Sequence, residues 1–302
     1  MHCRCLWRII IALGFCLVQP IGFAQDAVAD RISSWFSSGE YLVEETYVGE
    51  AGVKRRSQAV DNFDEDNVIM RYVLTPRTKL GVLRIGAEWE RFWFGFPNRA
   101  QLPDTLQSIS LVLGLDTQLS DSILMRIEAQ PGMYNTGVND LSDDFNMPFI
   151  VGGTYIYNPN LQIIAGVSVD IERKYPVLPA AGFRWKMARQ WVLNAVLPTP
   201  RIEFEWNKNL TLYAGGEFKE TNFRVDDHFG DRQGRPELNH AVLTYSEVRA
   251  GGGFDWKISP VLTLTAEAGY QPYRNFDFYR TDVRYRQNEA APYGMVSFHG
   301  AF

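Results

Sequence analysis

The chain of 302 residues is poor in cysteine, and its three cysteines all lie near the start, at Cys3, Cys5 and Cys16. The remainder therefore offers no thiol for catalysis, for a disulfide or for a cysteine-bound zinc ion. Positive charge is not in excess either, since 30 Lys and Arg residues stand against 35 Asp and Glu residues. Nucleic-acid-binding domains usually carry a basic excess, so no nucleic-acid partner is expected.

Long apolar runs are also missing. After residue 24, no run approaches the roughly 18 apolar residues that a membrane-spanning helix needs, which excludes a polytopic helical membrane protein. The one apolar run, residues 9–18, follows two arginines and ends at Gln19-Pro20. Small residues then occupy the two positions that a signal peptidase reads, Gly22 and Ala24. This pattern predicts a secretory signal peptide over residues 1–24, cleaved after Ala24.

The rest of the chain alternates between apolar and polar residues. In residues 161–171 every odd position is apolar, and most even positions are polar or small. Residues 105–118, 122–130 and 261–270 show the same period of two, which is typical of β-strands with one apolar face. Segments of about 10–14 residues exceed the 5–6 usual in soluble sheets and are long enough to cross a bilayer at a tilt.

Two kinds of connection separate these segments. Short turn sequences occur at 76–78, 119–121, 158–160, 188–190, 207–209 and 258–260. Longer polar stretches lie mostly between them, at 51–66, 95–104, 135–144, 174–179, 226–240 and 279–291. Such asymmetry is typical of outer-membrane β-barrels, which have short turns on the periplasmic side and long loops outside.

The connections also predict the number of strands. Six short turns define twelve strands, and further strands at 40–50 and 292–302 raise the total to about fourteen. The prediction is an all-β, antiparallel transmembrane β-barrel over residues 40–302, with both termini on the periplasmic side. Twelve strands is the alternative if the strand at 40–50 or the corner at 198–200 fails. Residues 25–39 would form a leader or a short helix, with Val28, Ile32, Trp35 and Phe36 at helical spacing.

Aromatic residues support a position in the outer membrane. Six tryptophans lie on the apolar parity near strand ends, which predicts two interfacial girdles in contact with lipid: Trp89, Trp93, Trp185, Trp191, Trp206 and Trp256. On the last strand, Phe298 and Phe302 share the outward parity and resemble the C-terminal signal recognised by the outer-membrane assembly machinery. The expected location is the cell outer membrane, with its lipid and that machinery as partners. The sequence leaves the oligomeric state open.

Several motifs between residues 104 and 302 resemble an uncharacterised family of bacterial outer-membrane β-barrels, classed as a domain of unknown function. They are LGLDT at 113–117, AQPGMY at 129–134, DDFN at 143–146, PVLPAAG at 176–182, LYAGG at 212–216, and FGDR at 229–232 with RPELN at 235–239. The resemblance covers about two-thirds of the chain. It implies fold and location but no activity, so function must be inferred from the residues.

Charged residues of both signs lie on the parity that would face the lumen. They are Asp116, Arg126, Glu128, Asp170, Arg184, Lys186, Glu203, Glu205, Glu217, Lys219, Glu247, Arg249, Asp255 and Glu267. They could form the field of a pore constriction, or they could pair across strands in a closed interior. About fourteen strands enclose more space than side chains fill, which favours a passive pore for small solutes. The acidic excess on this face favours cations.

Two other functions remain open. Asp226 and His228 resemble the Asp-x-His pair of outer-membrane aspartyl-type proteases, so a hydrolase is one alternative. A structural or adhesion barrel that acts through its extracellular loops is the other. No catalytic residue or cofactor is predicted. No metal is predicted either, because the spacing of the loop acids does not resemble a calcium loop: Asp143, Asp144, Asp226, Asp227 and Asp231.

Overall fold

The computed structural model of the chain describes residues 38–96, 101–137, 144–281 and 283–302. They form a closed antiparallel barrel of 14 strands, in which each strand pairs with the next and the last pairs with the first. The predicted fold class is therefore confirmed. The predicted signal peptide, Asp143 and most of the predicted leader lie outside the described residues. Among the residues described, no helix is long and apolar enough to span a membrane.

The strands differ widely in length. In chain order they are β1 (Gly39–Arg55), β2 (Gln58–Leu74), β3 (Gly81–Phe94), β4 (Thr105–Ser120), β5 (Ile123–Ala129, continued by Gly132–Asn135), β6 (Phe149–Asn158), β7 (Leu161–Val169), β8 (Val177–Lys186), β9 (Trp191–Asn194), β10 (Arg201–Glu205), β11 (Leu210–Arg224), β12 (Val242–Ser259), β13 (Leu262–Phe278) and β14 (Val283–Gln287, continued by Ala291–Ala301). Arg77–Thr78 pairs with β3, and Phe145–Asn146 pairs with the end of β5. A short helix, α1 (Phe229–Arg232), and a 3-10 turn (Pro236–Leu238) lie between β11 and β12.

All six predicted short turns join consecutive strands. The first strand begins and the last strand ends at the same side as these turns, where Gly39 and Phe302 exchange backbone hydrogen bonds of 3.0 and 2.9 Å. The strand predicted at 40–50 is present in β1, and the corner at 198–200 separates β9 from β10. Fourteen strands is therefore correct, and the alternative of twelve is wrong.

Two stretches predicted as loops are strands. Across residues 51–66, β1 and β2 continue as a hairpin that turns at residues 56 and 57 and has two register shifts. Residues 279–291 contain the first segment of β14. In both places apolar side chains are fully buried inside the barrel, such as Phe63 in the first stretch and Val283 in the second. Because the outer face of these extensions is polar, the polarity pattern is inverted relative to a lipid-facing strand and resembles a loop.

The barrel narrows away from the short turns. Strands β6 to β10 contain only four to ten residues, whereas β1 to β4 contain 14 to 17. Beyond the ends of the short strands, β5 and β11 meet directly, with Asn135 and Arg224 forming a parallel bridge. The long strands therefore enclose a smaller space at this end than all fourteen enclose near the turns.

An aromatic cluster fills this narrow end. The rings of Tyr245 and Phe276 lie 5.0 Å apart, those of Phe94 and Phe276 lie 5.1 Å apart in an edge-to-face arrangement, and Phe63 lies 5.8 Å from Phe276. Phe229, from the connection between β11 and β12, packs into the same cluster. Burying each phenylalanine contributes about 1.5–3 kcal/mol, so the cluster both stabilises and closes this end.

Candidate functional site in the barrel interior

On the wall formed by β1 to β5, the predicted interior charges are paired. Arg126 on β5 donates to Asp116 on β4 at 2.6 Å. Glu128 accepts from Arg84 at 3.1 Å and from Arg71 at 2.7 Å. Arg84 and Arg71 were missed by the sequence reasoning, although Arg84 alternates with the outward Ile85 and Ala87. Arg71 on β2 and Arg84 on β3 both reach Glu128 on β5 across the intervening strands, so a dense ion-pair network covers this wall.

A second group of ion pairs connects the opposite wall. Arg249 on β12 donates to Glu217 on β11 at 2.5 Å and lies 3.7 Å from Glu247. Lys219 on β11 forms a salt bridge with Glu90 on β3. Because β3 and β11 are far apart around the barrel, this salt bridge crosses the lumen. The interior between these walls is therefore closed by side chains rather than open.

The most deeply buried ion pair joins Arg274 on β13 to Glu65 on β2, with a separation of 2.9 Å and side-chain exposures of 0% and 1%. The hydroxyl of Tyr245 donates to Glu65 at 2.6 Å. The Arg274 guanidinium lies 3.9 Å from the ring centre of Phe63. The sequence reasoning missed Glu65 because it lies in the stretch predicted as a loop, and missed Arg274 because β13 extends beyond residue 270.

Predicted interior residues near the short turns form a wetter group. Glu203 accepts from Arg201 at 2.8 Å and from Arg184 at 3.4 Å, and Lys186 donates to Glu205 at 2.8 Å. The side chains of Arg184, Lys186 and Arg201 are 37–42% exposed. These residues are thus both paired and in contact with water. The sequence left open whether the interior charges line a pore or pair across strands, and at this group they can do both.

The remaining predicted interior residues have separate positions. Asp255 lies 3.8 Å from Arg201 and accepts a hydrogen bond from Thr265 at 2.7 Å. Glu267 accepts a hydrogen bond from the hydroxyl of Tyr293. Asp170 follows the last residue of β7 and is buried, and it lies among the connections at the far end rather than within a strand.

The inward faces of β6, β7 and β8 differ from every other part of the wall. Their side chains are small or uncharged over most of their length and none of them is buried: Ile150, Gly152, Thr154, Ile164, Gly166, Ser168, Leu178, Ala180 and Gly182. A Cβ atom added to Gly152 would find no atom closer than 3.7 Å. By contrast, Glu90, Asn67 and Thr46 on the opposite side are at most 5% exposed. Water-accessible space therefore follows this wall.

The predicted girdle and terminal residues lie on the outside. Trp185, Trp191, Trp206 and Trp256 are 44–60% exposed near the short turns. Trp89 and Trp93 lie farther along β3, with their rings 6.3 Å apart: both alternate with buried interior residues. Phe298 is on the same face of β14 as the exposed Val296, and the ring of Phe302 stacks on Tyr72 at 6.2 Å.

Asp226 and His228 do not form a side-chain pair. The carboxylate of Asp226 accepts hydrogen bonds from Arg232 at 2.9 and 2.5 Å, whereas the ring of His228 lies 3.5 Å from Asp231. Partial burial raises the pKa of Asp226, but hydrogen bonds from the Arg232 guanidinium and the His228 backbone outweigh it, so the pKa lies below its usual range. Arg232 therefore occupies the carboxylate that a catalytic pair would use.

Residues 71–296 match the family model described as a domain of unknown function, DUF6268. The chain belongs to this family. No curated protein matches it in sequence. An outer-membrane channel from Pseudomonas putida F1 shares its fold, with 7% identity and a TM-score of 0.50 over 94% of this chain and 100% of that chain.

Two further solved structures are similar over most of the chain. The CymD monoaromatic hydrocarbon channel is 9% identical, with a TM-score of 0.43 over 93% of this chain and 95% of its own. The toluene transporter TodX of P. putida is 10% identical, with a TM-score of 0.42 over 88% and 90%.

The DUF6268 match begins within β2 and ends within β14. It confirms the family predicted from the motifs and extends the region to residue 71. Gly152, Asp170 and Glu203 lie inside this region, whereas Glu65 and Phe302 lie outside it. The half-exposed wall of β6 to β8 is thus part of the family domain.

Proposed function

We propose that the protein is a passive channel for small polar solutes in the cell outer membrane, exported by a signal peptide cleaved after Ala24. The observation that carries this proposal is the half-exposed inward face of β6 to β8, which leads from the wet charges at Arg184 and Lys186 towards the far end of the barrel. The fold shared with a solved outer-membrane channel supports it.

Two hydroxyl groups along the wall and the charges at its wet end favour hydrophilic solutes. The hydroxyl groups of Thr154 and Ser168 lie beside Gly152 and Gly166, and Gly152 leaves space in the lumen. Charged groups of both signs stand at its wet end and hold water there. A solute that forms hydrogen bonds can exchange them with these hydroxyl and charged groups as it passes.

A tryptophan at position 152 tests this passage. Gly152 faces the lumen and has space for a side chain, so Gly152→Trp is expected to reduce the single-channel conductance in planar bilayers by about half or more, because pore diameter controls passage. Gly153→Trp is the matched control, since Gly153 pairs with the outward Ala165 and Met125 and faces lipid.

Conductance that falls in Gly153→Trp as much as in Gly152→Trp would contradict a passage along this wall. Folding is checked separately by the mobility shift on heating, which both variants are expected to retain. If neither the wild type nor any variant conducts after it has inserted in the bilayer, the channel function itself is contradicted.

We also propose that Phe302 helps the outer-membrane assembly machinery to recognise the barrel. The ring is 43% exposed and stacks on Tyr72, so beyond the two backbone hydrogen bonds with Gly39 little of the barrel's own packing depends on Phe302. Deleting Phe302 is therefore expected to reduce the amount of heat-modifiable protein in the outer membrane severalfold, with little effect on refolding in detergent. Equal assembly in cells with and without the residue would contradict this role.

A further inference from the structure

The connection between β7 and β8, residues 170–176, reaches across the end of the barrel. Glu172 accepts hydrogen bonds from Arg224 at the end of β11 at 2.8 Å and from Arg280, in the connection between β13 and β14, at 3.0 Å. The hydroxyl of Tyr279 donates to the backbone carbonyl of Glu172 at 2.9 Å. The connection is thus attached to the opposite wall and does not extend outward from its own strands.

Asp170 attaches the beginning of this connection to β11. One carboxylate oxygen accepts from Asn146 at 3.0 Å and from the backbone N–H of Glu172 at 2.9 Å, and the other accepts from Asn222 at 2.7 Å. Thr244 donates to the amide oxygen of Asn222 at 2.6 Å, which directs the amide N–H towards Asp170. Both oxygens of a buried carboxylate are therefore occupied by groups from three separate elements.

Arg173 lies where the half-exposed wall ends. Its guanidinium donates to the hydroxyl of Ser168, the last inward residue of β7, at 3.0 Å. The same group lies 3.8 Å from both Asp170 and Glu220, and Glu220 accepts a further hydrogen bond from Ser246 at 3.1 Å. A side chain in this position spans the space between β7 and β11 at the end of the half-exposed wall.

Few apolar contacts hold the connection in place. Ile171 is 77% exposed and Tyr175 is 68% exposed, so the largest apolar side chains of residues 170–176 point away from the barrel. The attachment depends instead on carboxylate, amide and guanidinium groups. Water can replace such contacts one for one, and a segment held in this way opens locally without unfolding the strands on either side.

We infer that residues 170–176 form a gate, which closes the passage in this conformation and opens when the polar contacts of Asp170 and Glu172 break. The inference rests on the proposed channel function and specifies how that channel is regulated. The wall from Gly152 to Ser168 would then conduct only while Arg173 is withdrawn.

Isosteric removal of the two carboxylates tests the gate. In Asp170→Asn with Glu172→Gln, the open-state occupancy in planar bilayers is expected to rise roughly threefold to tenfold, the population shift that follows from losing a few polar contacts. Asp226→Asn is the matched control: it breaks the ion pair with Arg232 in the connection between β11 and β12, leaves the hydrogen bonds of Asp170 and Glu172 in place, and should leave the occupancy unchanged.

A cross-link tests the closed state independently. All three cysteines lie within the first 16 residues, so cysteines introduced in place of Glu172 and Arg224 are the sole thiols once the predicted signal peptide is removed. A short bis-methanethiosulfonate cross-linker should lower the current at least severalfold, and dithiothreitol should restore it. A cysteine pair at Asp226 and Arg232, cross-linked in the same way, joins two residues of the connection between β11 and β12 and should not block the current reversibly.

The outcomes separate the gate from the channel. If the wild type conducts but neither the carboxylate variant nor the cross-link changes its current, the gate is wrong and the channel stands. If no variant conducts although all are heat-modifiable and inserted, both are wrong. Conductance that appears only in the carboxylate variant supports both, because a wild type that is closed by residues 170–176 predicts that result.

Discussion

An Arg274→Met variant is expected to lose about 3–5 kcal/mol of unfolding free energy, because it leaves a buried carboxylate without its partner. Arg274 is fully buried and donates to Glu65 at 2.9 Å. The hydroxyl of Tyr245 lies 2.6 Å from Glu65 and 3.2 Å from Glu247, so the loss of the guanidinium leaves two acidic groups around one hydroxyl. Methionine keeps most of the volume over the Phe63 ring.

A double variant separates charge from packing. Glu65→Gln together with Arg274→Met removes both charges, so most of the lost stability should return, since a buried ion pair is often no better than an uncharged replacement of similar volume. Equilibrium urea unfolding in lipid vesicles, followed by tryptophan fluorescence, measures each value.

The control uses an ion pair that contacts water. Lys186→Met removes the partner of Glu205, but these side chains are 39% and 37% exposed, so a loss below about 1 kcal/mol is expected. If Arg274→Met and Lys186→Met lose equal unfolding free energy, burial does not make the Arg274–Glu65 ion pair more important for stability.

Replacing Glu203 and Glu205 with glutamine is expected to shift the ion preference of the channel towards anions. The two carboxylates lie on one strand, about 7 Å apart, and their partners Arg184, Arg201 and Lys186 remain in place after the change. These bases contact water, so they stay charged and attract anions. The cation-to-anion permeability ratio should fall by roughly threefold to tenfold at low ionic strength and by less at 1 M salt, where screening is strong.

The reciprocal change gives the control for this experiment. Lys186→Gln removes a positive charge from the same place and should raise the cation-to-anion ratio. Reversal potentials across a salt gradient measure both variants. If neither variant changes the ratio, ions do not pass this group, and the charges near the short turns act only in the packing of β8 to β10.

The membrane-facing part of the fold was predictable from local sequence. Where one face of a strand meets lipid and the other meets a polar interior, residues alternate strictly, as in β7 and β13, and the strands were located to within a few residues except where they extend beyond the membrane. The same rule failed at residues 51–66, because the hairpin there has water outside and the aromatic cluster inside. The inverted pattern gave no lipid-facing stripe to recognise.

The contacts of individual site residues likewise differ in how far the sequence predicted them. Glu203 with Arg184 and Glu205 with Lys186 lie two strands apart in order, and the sequence reasoning already held such pairing as one of two possibilities. Arg274 with Glu65 could not be anticipated, since 209 positions separate them and one lay in a stretch predicted as a loop. The order of nearby strands restricts which side chains can form a local pair, whereas a pair across the lumen depends on how the whole barrel closes.

By itself, the sequence determined the fold class, a count of about fourteen strands, the side on which the first and last strands meet and the family of this protein. These features follow from side-chain polarity at a period of two and from short turns, both of which act locally. Only the tertiary structure decided that Lys219 meets Glu90 across the lumen, that the space lies beside β6 to β8, and that residues 170–176 cover its end. Strand stagger, unequal strand lengths and closure of the barrel set which side chains face each other, and no local pattern contains that information.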